Sequence, residues 1–373
     1  MNRDTDVVVV GAGIVGLAVA AALVSEGHRV VVLERRNGPG LEVTARNSEV
    51  VHAGIYYPEA SLKAELCVAG REVLYQRCER LGIGHRQTGK LIVASAPDEL
   101  EALESLRARG SANGVPGLEI LDEQQLQALE PDVRAVAALY SPSSGIVDSH
   151  GLCLSYATEA ERGGAMLVFH SEVMSIQARA GGWNVEAIDD RGETGRLSCG
   201  AVVNAAGLAS DEVARRAGMD VDASGYRLHP CKGDYFALSP SAPVSIQRLI
   251  YPLPVGPGLG VHATLDLGGR IRFGPDTEYV DEIRFDVDPE KRVDFVQQVT
   301  RYLPAVRAEW LEPEGAGIRP KLSGPGEPFR DFVVAEESAA GFPGLVNCIG
   351  IESPGLTAAA AIASRVADLL ASL

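Results

Sequence analysis

Val7-Val8-Val9-Val10-Gly11-Ala12-Gly13-Ile14-Val15-Gly16 decides how this chain begins to fold. Residues 6–10 form a short valine run, which predicts a parallel strand buried on both faces. Residues 17–25 are rich in Ala, Leu and Val and predict a helix, stopped at Glu26-Gly27-His28. Residues 29–33 predict a second valine strand ending at Glu34. The result is one βαβ unit whose turn carries the G-x-G-x-x-G spacing. In that spacing Gly11 makes the tight turn, Gly13 lets a pyrophosphate approach the backbone, and Gly16 allows close helix–strand packing. The helix start at Ile14 and Val15 offers N–H groups and a partial positive charge to phosphates. Glu34, followed by Arg35, is placed to accept hydrogen bonds from a ribose and to repel a 2′-phosphate. The motif predicts a dinucleotide site and does not choose between FAD and NAD.

Around this unit the bulk properties set limits. A chain of 373 residues predicts about two domains. With 34 Lys+Arg against 50 Asp+Glu, the formal charge is −16, which argues against a nucleic-acid partner. An acidic substrate is still allowed, because one cleft can be basic inside an acidic shell. Cys67, Cys78, Cys153, Cys199, Cys231 and Cys348 form no C-x-x-C pair and no zinc spacing, so no metal is expected. They read as reduced thiols of a cytoplasmic protein. Met1-Asn2-Arg3 and the apolar run after it imitate a signal peptide. Glycines at functional spacing interrupt that run, and cleavage near residues 18–22 would destroy the βαβ unit, so the signal-peptide reading is rejected. No uninterrupted run reaches the roughly 20 apolar residues of an integral membrane span. No basic amphipathic helix marks the surface of a membrane either.

Farther along, residues 44–57 read as a loop. Helices are predicted at 62–81, 97–109, 122–129, 150–162, 210–217, 289–303 and 356–370. Strands are predicted at 90–94, 166–170 and 344–349, with a small antiparallel meander over 173–178, 183–188 and 196–204 that returns to the main sheet. Residues 226–288 are strand-like, rich in Gly and Pro, and predict a second, mostly antiparallel sheet.

Three further stretches carry a family likeness. They are Arg46-Asn47-Ser48-Glu49-Val50-Val51-His52-Ala53-Gly54-Ile55-Tyr56-Tyr57-Pro58, Gly350-Ile351-Glu352-Ser353-Pro354-Gly355-Leu356-Thr357, and Gly317-Ile318-Arg319-Pro320. Ser61-Leu62-Lys63-Ala64, Gly89-Lys90-Leu91-Ile92-Val93, Lys232-Gly233-Asp234-Tyr235 and Leu259-Gly260-Val261-His262 add to it. Together they resemble the D-amino-acid oxidase superfamily of FAD enzymes, and within it the L-2-hydroxyglutarate dehydrogenase/oxidase group, from residue 6 to the C-terminal helix. The resemblance implies an α/β (α+β two-domain) fold: a Rossmann-like FAD-binding domain with a second, mostly antiparallel-sheet substrate domain. The expected boundaries are 1–86, 145–222 and 318–373 for the first and 87–144 and 223–317 for the second. Non-covalent FAD is the implied cofactor. Thr44, Arg46, Asn47 and Ser48 would lie along its diphosphate and flavin, Val173 at its adenine, and Ala206 and Gly207 along the dinucleotide. Gly350 through Leu356, including Ser353, Pro354 and Gly355, would approach the flavin, where a helix start suits negative charge.

A 2-hydroxy acid needs its carboxylate fixed, its hydroxyl proton removed and its Cα hydride aimed at flavin N5. Arg319 is the expected carboxylate fork. His52 and His262 are the two candidate bases. Tyr56 and Tyr57 are expected in the substrate cavity. Lys63, Lys90 and Lys232 are alternatives for the second cation that a dicarboxylate such as L-2-hydroxyglutarate requires, and the sequence does not choose among them. A glycerol-3-phosphate or amino-acid oxidase of the same superfamily, and a non-catalytic flavin-binding module, are the competing readings. Oxygen or a quinone as electron acceptor, peripheral membrane contact and a homo-oligomer are left open.

Overall fold

The structure is a computed structural model that describes residues 3–254 and 260–371. Met1, Asn2 and Leu259, which figured in the sequence readings, lie outside the described residues. Val7–Val10 is an inner strand of a six-stranded sheet. The order is Val333–Glu337, Phe342–Ile349, Ala201–Asn204, Val7–Val10, Val30–Leu33, Met166–Val168. Every pair is parallel except the first, which is antiparallel. Two buried faces explain the valine run. Val7 and Val9 enter a core shared with the helices Ile14–Ser25, Ser149–Arg162 and Gly355–Ala371. Val8 and Val10 enter another, shared with Val173, Trp183 and Val213. Alternate side chains of a strand point to opposite faces, so both sets must be apolar.

The predicted meander is present as Ser171–Arg179, Gly182–Asp189 and Thr194–Cys199. The single strand expected over 196–204 is two strands, because the chain turns at Gly200. The Gly200 N–H donates to the Asp6 carbonyl, and Ala201–Asn204 then joins the parallel sheet. Both proline-led helices begin with a short tight turn, Pro97–Glu99 before Leu100–Ala112 and Pro289–Lys291 before Arg292–Val299. The second of these helices stops four residues before the predicted end.

The second sheet has nine strands. Its main path runs Glu278–Tyr279, His229–Leu238, Ile271–Phe273, Ala263–Leu265, Leu249–Pro252, Lys90–Ala94, Ala137–Ser141, Glu119–Asp122. It is antiparallel as predicted, except where Leu249–Pro252 runs parallel to Lys90–Ala94. The ninth strand, Leu311–Lys321, pairs with His229–Leu238 from His229 opposite Lys321 to Leu238 opposite Leu311. Pro313, Gly315, Gly317 and Pro320 hide this strand from a propensity reading, since each breaks the usual strand pattern. Helix Leu62–Leu81 follows its predicted bounds, with Ser61 accepting from the Ala64 N–H and Gly82 ending it at φ 68°. It crosses the C-terminal helix at Gly70, where a Cβ would lie 2.4 Å from the Thr357 carbonyl oxygen.

Candidate active site

A cavity of about 930 Å³ is lined by residues from both large sheets. At one end lies the glycine turn. Gly11 has φ +104°, and a Cβ there would come within 2.6 Å of the Ala205 carbonyl oxygen, so only glycine turns the chain at this point. A Cβ on Gly16 would reach 2.0 Å from the Gly11 carbonyl oxygen, so Gly16 shapes the turn without lining the cavity. Gly13 differs: the nearest protein atom to its would-be Cβ is Thr44 Oγ1 at 3.4 Å, and the space beyond is cavity. The helix that begins at Ile14 has no side-chain cap and no acid in its first turn. Ile14 N–H donates to Thr44 Oγ1 at 3.1 Å. Glu34 reaches back into the turn, where its carboxylate accepts from the Ala12 N–H at 2.8 Å and the Arg36 N–H at 2.8 Å. Arg35 lies beside it, paired with Glu42 at 3.1 Å. A helix start whose only side-chain partner is Thr44 at Ile14, a glycine facing open space and a carboxylate at the adjacent strand end together fit a dinucleotide.

Val173, Ala206 and Gly207 line the same end. The Val173 carbonyl accepts from Arg216 Nη1, and the strand register shifts just beyond it. The 44–48 loop runs along the middle. Asn47 spends its amide on the loop itself, donating to the Thr44 carbonyl and accepting from the Glu49 N–H at 2.7 Å. Ser48 Oγ meets Tyr235 Oη at 2.8 Å, and the Arg46 guanidinium lies 4.1 Å from the Phe285 ring centroid.

The 350–356 turn closes the wall. Ile351, Ser353, Pro354, Gly355 and Leu356 line the cavity, whereas Gly350 packs on Leu322 and turns the strand end at φ +70°. Glu352 is clamped by Lys63 at 2.8 Å and Lys321 at 3.4 Å. Burial raises this carboxyl, but the two lysines outweigh it and hold it below the ordinary range. Ser353 Oγ then stands 3.1 Å from His52 Nε2.

The deep end gathers the remaining predicted residues. His52, Tyr56, Tyr57, His262 and Arg319 all line it. His262 Nδ1 lies 3.1 Å from the Gly260 carbonyl, which can only accept, so Nδ1 carries the proton and Nε2 keeps its lone pair. The ring stacks on Tyr251 at 3.8 Å between centroids. Burial and nearby Lys90 push His262 down to about 3 even though the Gly260 bond favours its charged form, with Arg319 adding to the fall. Burial, Lys90 and His262 likewise hold His52 well below its ordinary value. Both imidazoles are therefore neutral at neutral pH. Burial raises the Tyr56 and Tyr57 hydroxyls, so both stay protonated. Arg319 Nη2 donates to the Asp276 carbonyl at 3.0 Å and Nη1 faces the Lys232 carbonyl at 3.5 Å. Among the described residues it forms no ion pair, although Glu352 lies within its electrostatic reach. Gly233 makes room for it, because a Cβ there would lie 2.9 Å from Arg319 Nη2.

The sequence missed Tyr235 and Tyr251 as cavity residues. Both are strand aromatics, and nothing in their spacing separates them from core. The lysine alternatives are separated by partners: Lys63 pairs with Glu352 and Lys232 with Asp234, while Lys90 has no acidic partner among the described residues.

A family model described as FAD dependent oxidoreductase (DAO) matches residues 6–369. The mitochondrial L-2-hydroxyglutarate dehydrogenase of Arabidopsis thaliana is 39% identical over 98% of this chain and 83% of its own. The L-2-hydroxyglutarate dehydrogenase of Escherichia coli K12 is 28% identical over 98% of this chain and 94% of its own. A dithionite-reduced L-alpha-glycerophosphate oxidase from Mycoplasma pneumoniae, solved with FAD bound, superposes with a TM-score of 0.88. It is 26% identical and covers 98% of this chain and 94% of its own.

Proposed function

The chain belongs to the FAD dependent oxidoreductase family and acts on the CH–OH group of a donor, and we propose that the donor is L-2-hydroxyglutarate, oxidised to 2-oxoglutarate. Bound FAD would supply the acceptor for the hydride that leaves Cα. Gly11, Gly13, the Ile14–Val15 helix start and Glu34 would hold its dinucleotide end, with Val173, Ala206 and Gly207 beside them. Thr44, Arg46, Asn47, Ser48 and the 351–356 turn would hold the remainder. Attachment is non-covalent: Cys348 lines the cavity, but burial pushes its thiol up to about 12, leaving it a poor nucleophile. The two large sheets are read as a cofactor domain and a substrate domain with the boundaries given above, except that the strand Leu311–Lys321 carries residues 318–321 into the second sheet.

The chain's own residues perform the rest. Arg319 grips the 2-hydroxy acid's carboxylate with a planar fork. The hydroxyl proton goes to His52 or His262, each neutral and each bordering the cavity. Tyr56 and Tyr57 enclose the donor and exclude water. Oxygen or a quinone then takes the electrons. Among the described residues no helix is long and apolar enough to cross a membrane. The six buried thiols fit the cytoplasm.

One observation carries this reading: Arg319, without an ion pair among the described residues, and two neutral histidines border the same cavity as the glycine turn. Anaerobic addition of L-2-hydroxyglutarate to the FAD-loaded protein should bleach the flavin. Likeness to the glycerophosphate oxidase favours glycerol 3-phosphate as the second reading. Bleaching by that compound or by an amino acid, with none by L-2-hydroxyglutarate, replaces the first reading with the second.

A further inference from the structure

Lys232-Gly233-Asp234-Tyr235 lies on the strand that pairs with Arg319, and the reaction assigned above leaves its acid unused. Asp234 is fully buried, so its carboxylate needs partners. Two ammoniums meet it: Lys291 Nζ lies 2.8 Å from Oδ2, and Lys232 Nζ lies 3.2 Å from Oδ1. Lys291 Nζ also reaches Asp276 Oδ2 at 3.0 Å and Glu278 Oε2 at 2.6 Å. Asp276 Oδ1 accepts from the Asp234 N–H at 2.7 Å. Both carboxylate oxygens of Asp276 are therefore pinned, and its backbone carbonyl accepts from Arg319 Nη2 at 3.0 Å. Burial disfavours the Lys291 ammonium, but the three carboxylates outweigh it and raise its pKa, so the lysine stays charged.

We propose that Lys291, through Asp276, is a positioning residue for the arginine that grips the donor's carboxylate; this rests on the reading of Arg319 given above. The strand order shows how. Cys231 stands opposite Arg319 on one side and opposite Tyr279 on the other, so the segment 275–279 and the arginine flank one strand. Pro275, Thr277 and Tyr279 border the cavity, whereas Asp276 and Lys291 do not. The cluster therefore acts from behind the cavity wall and touches no ligand. Gly233 sets the spacing, because a Cβ there would lie 2.9 Å from Arg319 Nη2 and 2.9 Å from the Asp276 carbonyl oxygen. The glycine of the motif admits the contact between arginine and carbonyl. Its aspartate, together with Lys291, holds that carbonyl in place. Arginine grips a carboxylate best with two parallel N–H groups, and that geometry is lost when the guanidinium can turn.

The test titrates glutarate, an unreactive carboxylate without the hydroxyl, into the FAD-loaded protein and reads the flavin spectrum. Arg319→Met should weaken glutarate about 100-fold and Lys291→Met about 10-fold. The two changes together should cost no more than Arg319→Met alone, since the brace has nothing to act on once the guanidinium is gone. A cluster that only tied the helix Arg292–Val299 to the sheet would instead weaken binding equally with and without Arg319. Such an additive loss overturns the proposal, as does wild-type affinity in Lys291→Met. A loss confined to Arg319→Met removes the brace and keeps the carboxylate fork. Wild-type affinity in Arg319→Met removes the fork and the brace with it.

If Lys291→Met fails to hold FAD, Asp276→Asn takes its place. The amide keeps an oxygen for the Asp234 N–H and loses the charge that Lys291 holds. Glutarate should weaken in this variant only while Arg319 is present. An unchanged affinity, or a loss that persists in the Arg319→Met background, overturns the proposal.

Discussion

A Cβ on Gly317 would lie 2.1 Å from the carbonyl oxygen of Arg46, so a strand of the second sheet meets the 44–48 loop backbone to backbone. Arg319 follows two residues later on the same strand face and borders the cavity. The contact fixes the distance between the loop and the arginine. Gly317→Ala must separate them, because the obstacle is backbone and not the end of a flexible side chain. We expect a loss of about 1–3 kcal/mol and a protein that purifies with substoichiometric flavin. Thermal unfolding and the flavin-to-protein ratio check this, and wild-type values for both would show that the approach is not needed.

Glu34 braces the glycine turn from the other side through the Ala12 N–H. Glu34→Ala removes a charge-assisted hydrogen bond within the turn and the acceptor offered to a ribose. The FAD dissociation constant should rise at least about tenfold. Titration of the flavin-free protein with FAD measures it, and an unchanged constant would leave the turn to its glycines alone.

These two relationships show how far the sequence could be read. The Val7–Val10 strand, the glycine turn and Glu34 were legible because local chemistry dictates them: a valine run, a fixed spacing and an acid at a strand end. The helix Leu62–Leu81 was legible to its ends through Ser61 and Gly82. Leu311–Lys321 was invisible as a strand. Gly317 serves a tertiary demand at Arg46 that overrides strand propensity. Lys90 could be named as a candidate but not chosen. Which lysines already have acids is only half legible: Asp234 follows Lys232 by two residues, but Glu352 comes close to Lys63 only in the folded chain.

The histidines make a pH prediction. A base works in its neutral form, so activity is lost as pH falls through its pKa in the folded enzyme. His262 is pushed down to about 3, and His52 lies well below its ordinary value. The kcat/KM profile should therefore show no acid limb near 6.5, only one at distinctly lower pH. His52→Asn and His262→Asn identify the base, whose loss should cost kcat about 10²–10⁴-fold. An acid limb near 6.5 in wild type would mean that neither imidazole is the base.

Arg319→Lys should fail to rescue. The guanidinium spends one edge on the Asp276 and Lys232 carbonyls, which aim the remaining N–H groups. A lysine ammonium has neither the fork nor the reach to do both. We expect kcat/KM to fall by about 100-fold or more with flavin content intact. Activity within a few-fold of wild type would reduce Arg319 to a general positive charge.

Lys90→Met should make the ligand-free protein more stable, and the sign of its pH dependence is fixed. The lysine's pKa falls from 10.5 in the unfolded chain to about 7 in the fold. Between those values the unfolded chain binds the extra proton, so the wild-type penalty is full below about pH 7 and shrinks toward 10.5. Methionine fills similar space without a charge to desolvate. The gain should be on the order of 1–3 kcal/mol near pH 6.5 and much smaller near pH 9.5. Thermal unfolding of both proteins at the two pH values measures both differences. A variant less stable than wild type at pH 6.5 would show that the Tyr251 ring face, 3.8 Å from Nζ, offsets the cost of burying the ammonium.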